Sequence, residues 1–250
     1  MSPAATGNAL TLWRAFCGLC ILASLTLLSL SGANSAEPFP HYQNPRNLIA
    51  RRCRMPGVAA LTFDDFPNER IDELLELLAA WNATATFFVN GPYDARAPML
   101  QDATLAPRVK KMHSAGHQIA SHTRGAQTRL DRWLASHLGI SAPRFMRAPY
   151  GECNATCALT LTLAGYKVVG WGMDTEDWKH NTPETVHRSV FRVHEYLDDF
   201  KARELSDASA DIVLMHAFPN TTVTTVAPAV LEAFGREGFR FVSVAEFEPG

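Results

Sequence analysis

From Val58 onward the sequence alternates between short apolar segments and longer segments whose apolar residues recur every three or four positions. Short apolar runs bounded by Gly or Pro predict buried strands, and the longer spacing predicts helices that bury one face. The predicted strands lie at residues 58–63, 84–89, 118–121, 144–146, 166–171, 211–215 and 239–244. About seven strands alternating with helices indicate a parallel sheet, which at this number closes more naturally as a barrel than as an open sheet. We therefore expect an α/β chain folded as a (β/α) barrel.

The helix after the first predicted strand has the clearest amphipathic pattern. Its apolar face consists of Ile71, Leu74, Leu75 and Leu78, and we expect Asn68 to cap its N terminus. The other predicted helices lie at residues 99–114, 130–138, 154–164, 184–200 and 228–237. Each of them separates two predicted strands, as parallel pairing requires.

The composition indicates one ordinary globular domain. The chain has 250 residues, of which 47% are hydrophobic, and its formal net charge is −2. This length and apolar content allow a sizeable core. The near-zero charge argues against a nucleic-acid partner and against electrostatic attachment to anionic lipid. We expect a monomer whose domain spans residues 53–250 and follows an N-terminal lead-in at 37–52.

Residues 1–36 differ from the rest of the chain. Arg14 precedes an uncharged, mainly apolar segment from Ala15 to Leu30, and small residues follow as far as Ala36. This pattern is typical of a secretory signal peptide. An uncleaved signal anchor is the alternative, although about sixteen apolar residues are short for a bilayer span. We expect a secreted protein, extracellular or at the cell wall, with no membrane segment in its mature form.

The cysteines and the possible glycosylation sites agree with export. Cys153 and Cys157 flank a turn-like segment and could form a local disulfide in an oxidising compartment. A Cys-x3-Cys zinc half-site is the alternative, but the sequence offers it no second half. Three Asn-x-Thr sequences permit N-glycosylation in a eukaryotic host. They begin at Asn82, Asn154 and Asn220.

Two adjacent aspartates, Asp64 and Asp65, follow the first predicted strand directly. Neighbouring like charges repel, and burial at a strand end raises the cost of keeping both ionised. A protein that retains such a pair usually gives it something to hold, most often a metal ion. The alternative is a solvated turn that caps the next helix.

Further polar residues follow the later predicted strands. They are His122, Arg147, Asp174, Asp177 and His216. In a parallel barrel the carboxyl ends of the strands form one rim, and catalytic residues of such barrels lie there. Each residue alone has an ordinary explanation, such as a core histidine or a surface ion pair. Their joint placement at strand ends predicts a catalytic site.

The strand-end residues belong to ordered motifs. The motifs are LTFDD at 61–65, GHQIASHT at 116–123, RAPYG at 147–151, DTEDW at 174–178 and LMH at 214–216. In these motifs the sequence resembles the polysaccharide deacetylase family with the NodB homology domain. Within that family it is similar to the fungal chitin deacetylases. The resemblance covers about residues 53–244.

The resemblance implies a distorted (β/α) barrel that hydrolyses N-acetyl groups on chitin or other polysaccharides containing N-acetylglucosamine. It also implies one divalent metal, usually zinc with cobalt as an alternative, bound by Asp65 and His122. Asp64 would be the general base, and His216 would be the general acid that protonates the leaving amine. Amide hydrolysis needs such groups because an amide is a poor electrophile with a poor leaving group.

The resemblance implies supporting roles for five further residues. Arg147 would position the base, and Asp177 would orient the acid. Trp178 and Leu214 would line the acetyl pocket. The backbone N–H of Tyr150 would help to stabilise the oxyanion.

The main departure from the family pattern is a missing histidine. The second metal histidine is expected four residues after His122, where this chain has Ala126. A catalytic zinc site has three protein ligands and one open position, so we expect weaker metal binding. Three interpretations stay open. The chain is an active deacetylase with a weakened metal site, or a catalytically impaired paralogue that binds the polysaccharide, or the printed sequence lacks a segment between Thr123 and Arg129 that carries the histidine.

Overall fold

The structure is a computed structural model that describes residues 48–90, 105–123, 127–141, 144–202 and 209–247. The predicted signal peptide, residues 37–47 of the lead-in, residues 99–104 and Ala126 lie outside these ranges. Within the described ranges, no helix has both the length and the apolar character needed to cross a membrane. The domain limits inferred from the sequence stay predictions.

Nine strands form one sheet within the described part of the chain, and the paired strands run parallel. The strands are β1 (Ile49–Ala50), β2 (Val58–Phe66), β3 (Thr86–Val89), β4 (Gln118–Ser121), β5 (Phe145–Met146), β6 (Lys167–Val169), β7 (Met173–Asp174), β8 (Ile212–His216) and β9 (Arg240–Val242). Their spatial order is β1-β6-β5-β4-β3-β2-β8-β7, and β9 pairs with the first residues of β2. All seven predicted strands are present, whereas β1 and β7 were not predicted.

The sheet curls into a distorted barrel because the chain after β1 bridges its two sides. Gly170, next to β6, donates a backbone hydrogen bond to Ala50 at 2.7 Å. Ile212 in β8 donates to the carbonyl of Arg51, and Cys53 donates to the carbonyl of Ala210, each at 2.9 Å. The predicted barrel is therefore confirmed, and its closure depends on a short irregular segment rather than on a full strand pair.

Helices cover the outside of the sheet. They are α1 (Ile71–Ala80), α2 (Leu105–Ser114), α3 (Gln127–Trp133), α4 (Ala155–Leu163), α5 (His187–Ala202), α6 (Ala227–Arg236) and α7 (Val244–Phe247), with π-helical turns at Leu134–Leu138 and Thr222–Val226 and a 3-10 turn at Pro149–Gly151. The predicted apolar face of α1 is buried. The predicted disulfide between Cys153 and Cys157 is present at the start of α4, with a Cα–Cα distance of 5.2 Å.

The predicted capping role of Asn68 is wrong. Helix α1 begins at Ile71 with Arg70 as its N-cap residue and no side-chain cap. Asn68 instead accepts a hydrogen bond from the backbone N–H of Arg70 at 3.0 Å and donates its amide to the carbonyl of Ala217. The carbonyl of Ala217, just beyond β8, thus holds the Asn68 side chain that we expected to cap the helix.

The central strand β2 separates two hydrophobic clusters. Ala59, Leu61 and Phe63 belong to the large cluster under the helices, whereas Val58 and Ala60 belong to the cluster that contains Phe88, Ala120 and Val169 from the neighbouring strands. Side chains alternate along a strand, so Thr62 and Asp64 share the inner side of the barrel with Val58 and Ala60. Asp64 is therefore directed inward by the same alternation that builds the core.

Candidate active site

The carboxyl ends of the strands surround a cavity of about 460 Å³. Its walls contain Asp64, Asp65, Asn90, His122, Pro149, Tyr150, Trp171, Asp174, Trp178, Leu214, His216 and Phe218. Seven of the nine predicted site residues are in this set. The other two, Arg147 and Asp177, are fully buried and contact residues of the cavity wall. The structure thus brings all nine together.

A bulge allows two adjacent carboxylates to face one cavity. Neighbouring residues of a regular strand point to opposite faces, yet Asp64 and Asp65 both line the cavity. The pairing of β2 with β3 shifts register between Asp64 and Phe66, and Asp65 has a φ of 66°. A positive φ costs an L-residue roughly 1–2 kcal/mol, although Asp tolerates it better than most. This strained backbone places the second aspartate on the wall of the same cavity as the first.

Arg147 holds Asp64 in place from within the barrel. Its Nη1 donates to Asp64 Oδ1 and to Thr62 Oγ1, each at 2.8 Å. Its Nη2 donates to the carbonyl of Gly170 at 2.9 Å, and the guanidinium lies 4.2 Å from the centroid of the Phe88 ring. Asp64 Oδ1 is thereby fixed, and Oδ2 remains directed toward His122, at 3.6 Å from its Nε2.

Burial of Arg147 lowers the pKa of its guanidinium, and the charge and hydrogen bond of Asp64 oppose that shift. The ordinary pKa of arginine is so high that the side chain stays charged at neutral pH. Removing one partner of such a buried pair leaves an uncompensated charge, which is strongly destabilising. The pair is therefore a rigid support for the Asp64 carboxylate.

Asp177 holds His216 in an equally defined geometry. Asp177 Oδ1 lies 2.8 Å from His216 Nδ1, and Oδ2 accepts the backbone N–H of His216 at 2.7 Å. The hydroxyl of Thr222 donates to the same Oδ2 at 2.6 Å, and the backbone N–H of Trp178 donates to Oδ1 at 2.9 Å. With Nδ1 held by the carboxylate, Nε2 is the ring nitrogen available to the cavity.

The protonation of His216 depends on two opposing effects. Burial alone lowers the pKa of the ring. The hydrogen bond and the charge of Asp177 raise it, with further contributions from Asp64 and Asp65. The pKa of His216 therefore lies above its ordinary value, and the ring carries a proton over a wider pH range. Burial also raises the pKa of the nearby Asp174 carboxyl, against the hydrogen bond from the backbone of Glu176.

Asp65 and His122 are suitable in chemistry and position for a shared divalent ion. His122 Nδ1 lies 3.0 Å from the carbonyl of Arg147, to which it can donate, so that Nε2 faces Asp65 Oδ1 at 3.8 Å. Zinc–nitrogen and zinc–oxygen bonds of about 2.0–2.2 Å are compatible with this separation. The carbonyl partner is the kind that orients a metal-ligating histidine. Asn90 Nδ2 donates to Asp65 Oδ1 at 2.8 Å and fixes that carboxylate.

The donor set nevertheless does not fit a complete catalytic zinc site. Among the described residues, no group of three His, Cys, Asp or Glu side chains is arranged to hold a metal. The position from which a third ligand was expected is Ala126, whose side chain has no donor atom. His180 is not positioned to supply the missing third ligand. Its Nε2 lies 3.5 Å from Glu176 Oε2, and the residue is not part of the cavity wall.

The residues predicted to bind the acetyl group and the substrate lie on the cavity wall. Leu214 is buried, whereas Tyr150 and Trp178 expose 64% and 47% of their surface. Tyr150 belongs to the turn Pro149–Gly151 and has a φ of 59°. Strained backbone of this kind in a non-glycine residue is concentrated at functional sites.

Four wall residues were not predicted. They are Asn90, Pro149, Trp171 and Phe218. Asn90 directly follows β3, so the strand-end rule could have found it. Trp171 is the second residue after β6, and in the sequence it is the end of an apolar run. Phe218 comes two residues after His216, and no pattern in the sequence distinguishes it from a core residue.

Comparisons with known proteins identify similar sequences and a similar fold. A family model described as polysaccharide deacetylase matches residues 51–128. The chain is 30% identical over 233 residues to a chitin deacetylase from Colletotrichum lindemuthianum, which covers 87% of this chain and 90% of that protein. It is 30% identical over 206 residues to a peptidoglycan-N-acetylglucosamine deacetylase from Bacillus cereus, which covers 76% of this chain and 87% of that protein.

A solved structure extends the similarity to three dimensions. The structure of the chitin deacetylase from the fungal pathogen Colletotrichum lindemuthianum superposes with a TM-score of 0.66 at 30% identity. The match covers 78% of this chain and 88% of the other. The distorted barrel is thus shared with that protein.

Proposed function

The chain belongs to the polysaccharide deacetylase family, hydrolases that act on carbon–nitrogen bonds, and on that premise we propose that it removes acetyl groups from N-acetylglucosamine polymers. One observation carries the proposal. A carboxylate held by an arginine and a histidine held by a carboxylate open onto the same cavity. Amide hydrolysis requires this combination of a base and an acid.

Asp64 is the proposed general base. Its Oδ1 is occupied by Arg147, so Oδ2 is the oxygen that takes a proton from a water molecule in the cavity. The water oxygen forms a bond to the acetyl carbonyl carbon, and the carbonyl electrons move onto its oxygen. The backbone N–H of Tyr150 is the proposed donor to that oxyanion.

His216 is the proposed general acid. Its Nε2 gives a proton to the amide nitrogen as the carbon–nitrogen bond breaks, which releases acetate and leaves a free amine on the sugar. Asp177 keeps the ring oriented and stabilises its protonated form. Leu214 and Trp178 are proposed to enclose the methyl group of the acetyl.

A divalent cation, zinc or cobalt, would be held by Asp65 and His122. Their donor set is one ligand short of a catalytic zinc centre, so we expect weak binding and assign no catalytic step to the cation. This shortage favours a second candidate function, that of a catalytically impaired paralogue that binds the polysaccharide through the same cavity. The observation that supports this second candidate is that residue 126 is alanine and not histidine.

The proposed substrate is chitin or a related polymer outside the cell. The two relatives are named for the deacetylation of chitin and of peptidoglycan, and both polymers contain N-acetylglucosamine. The predicted signal peptide supports export of the chain, so that a cell-wall polymer would be within reach.

Acetate release from N-acetylglucosamine oligomers tests the proposal. The purified chain is incubated with and without zinc or cobalt, beside the variant Asp64→Asn, which keeps the size of the side chain but removes the base. We expect slow release that increases with added metal and is abolished in the variant. If the chain binds the oligomers but releases no acetate at any metal concentration, the proposed hydrolase activity is excluded. That result would support the second candidate function, binding of the polysaccharide.

A further inference from the structure

Phe218 is an apolar side chain left in the mouth of the cavity. It exposes 55% of its surface, and its ring centroid lies 5.7 Å from that of His216 with the planes 58° apart. The two groups that must reach the reacting amide are far less accessible, since the side chains of Asp64 and His216 expose 4% and 15%. The free face of the Phe218 ring therefore lies nearer to solvent than the reacting atoms.

The loop that carries Phe218 is fixed at both ends. Ala217 donates its backbone N–H to the carbonyl of Asp64 at 2.8 Å, and its own carbonyl accepts the Asn68 amide. After Phe218, the backbone N–H of Thr222 donates to the carbonyl of Pro219 at 3.0 Å, and the Thr222 hydroxyl binds Asp177. The backbone on both sides of the ring is thus tied to the residues of the site, which preorganises its position.

Phe218 shares the cavity with two other exposed aromatic rings, Tyr150 and Trp178. A single exposed aromatic side chain is ordinary on a protein surface. Phe191, exposed to 65% on α5 and outside the cavity wall, is such a case. Three exposed aromatic rings around one concave site with polar residues at its base are instead typical of a ligand-binding site.

The chemistry of a sugar ring suits this surface. A pyranose carries hydroxyl groups around its edge, while its faces consist largely of C–H bonds. The face of an aromatic ring is electron-rich and attracts such weakly positive hydrogens while excluding water. An acetamido group that reaches Asp64 and His216 leaves the neighbouring sugar of the polymer at the cavity mouth, where the Phe218 ring is accessible.

We propose that Phe218 forms an aromatic subsite that stacks on the pyranose ring next to the one that reacts, and so selects oligomers over the single sugar. This inference rests on the proposed function, because it assumes an N-acetylglucosamine polymer as the ligand. It adds a residue that binds substrate outside the reacting position.

Binding of tetra-N-acetylchitotetraose and of N-acetylglucosamine, measured by titration calorimetry, tests the proposal without requiring hydrolysis. We expect Phe218→Ala to bind the tetramer about five- to tenfold more weakly and the single sugar with unchanged affinity. Phe218→Trp should retain tetramer binding. Phe191→Ala is the matched control, and it should bind like the wild type; melting temperatures check that each variant is folded.

The possible outcomes separate this inference from the proposed function. Tetramer affinity that is unchanged in Phe218→Ala, or reduced equally in Phe191→Ala, overturns the subsite, as does a wild-type chain that binds no tetramer. Tetramer binding that depends on Phe218, in a chain that releases no acetate, supports the subsite and contradicts the hydrolase. Binding that depends on Phe218 together with acetate release supports both.

Discussion

Asp64 and His216 are register partners on the adjacent parallel strands β2 and β8. The proposed base and the proposed acid therefore emerge side by side from one strand ladder. Each also has a buried partner behind it, Arg147 for the base and Asp177 for the acid. The distance between the two reactive groups is thus set by sheet geometry, and their orientation is set by two independent ion pairs.

Arg147→Met should destabilise the fold by about 3–5 kcal/mol, because it leaves the buried Asp64 carboxylate without its partner. Urea unfolding of both proteins measures the loss. The control is Arg236→Met, which removes an exposed arginine that pairs with Glu232 one helical turn away. That change should cost less than about 1 kcal/mol. Similar losses in the two variants would contradict the supporting role of Arg147.

Asp177→Asn should move the alkaline limit of deacetylation to lower pH. Asp177 raises the pKa of His216, so the acid stays protonated to higher pH in the wild type than in the variant. Activity that needs the protonated ring is lost as pH rises through its pKa. The pH profile of acetate release measures the shift. Thr222→Val, which removes only a hydrogen bond to Asp177, should retain most of the wild-type profile, and an unshifted limit in Asp177→Asn would refute the assignment.

His117 should make the fold sensitive to mild acid. Burial lowers its pKa to about 4 in the folded protein, and its Nδ1 accepts the backbone N–H of Ala85 at 3.2 Å. Above pH 6.5 the ring is neutral in both states and contributes no pH dependence. Between about pH 6.5 and 4 the unfolded chain binds a proton that the folded chain does not, so stability falls as pH falls.

The loss attributable to His117 should approach about 3 kcal/mol near pH 4. Urea unfolding at a series of pH values measures it. His117→Gln, whose amide oxygen can accept the same hydrogen bond without titrating, should remove this part of the pH dependence. An unchanged pH dependence in that variant would assign the effect to other groups.

Ala126→His should raise the affinity for zinc at least about tenfold, because it supplies the third ligand that a catalytic site requires. Titration calorimetry with zinc measures the affinity directly and does not depend on catalysis. Ala126→Leu is the control, since it adds bulk without a donor atom. Equal zinc affinity in the histidine variant and the wild type would contradict the assignment of position 126 as the place of the missing ligand.

Gly151→Ala should destabilise the protein and disturb the cavity wall. A Cβ at this position would lie 2.8 Å from the Trp171 ring, and the residue has a φ of 69°. Gly139 has a φ of 67° with no atom within 4 Å of the equivalent Cβ, so Gly139→Ala measures the backbone cost alone, about 1–2 kcal/mol. Unfolding free energies should show a larger loss for Gly151→Ala, and equal losses would contradict the contact with Trp171.

Local patterns predicted much of the architecture. The buried face of α1 follows from the helical spacing of its apolar residues, and seven of the nine strands described follow from short apolar runs. The strands β1 and β7 were not predicted, because each pairs only where the tertiary structure brings β6 or β8 beside it. Asn68 has the usual chemistry of a cap, but a carbonyl beyond β8 holds its amide instead.

The sequence by itself determined the alternation of strands and helices, the strand-end positions of the chemically active residues and the absence of a histidine at position 126, because these depend only on residue type and spacing. The tertiary structure decided how those residues face one another. The positive φ of Asp65 turns two adjacent carboxylates to one cavity, against strand alternation. The tertiary structure also leaves Phe218 exposed beside His216. Both outcomes depend on contacts between segments far apart in the chain, which local spacing does not encode.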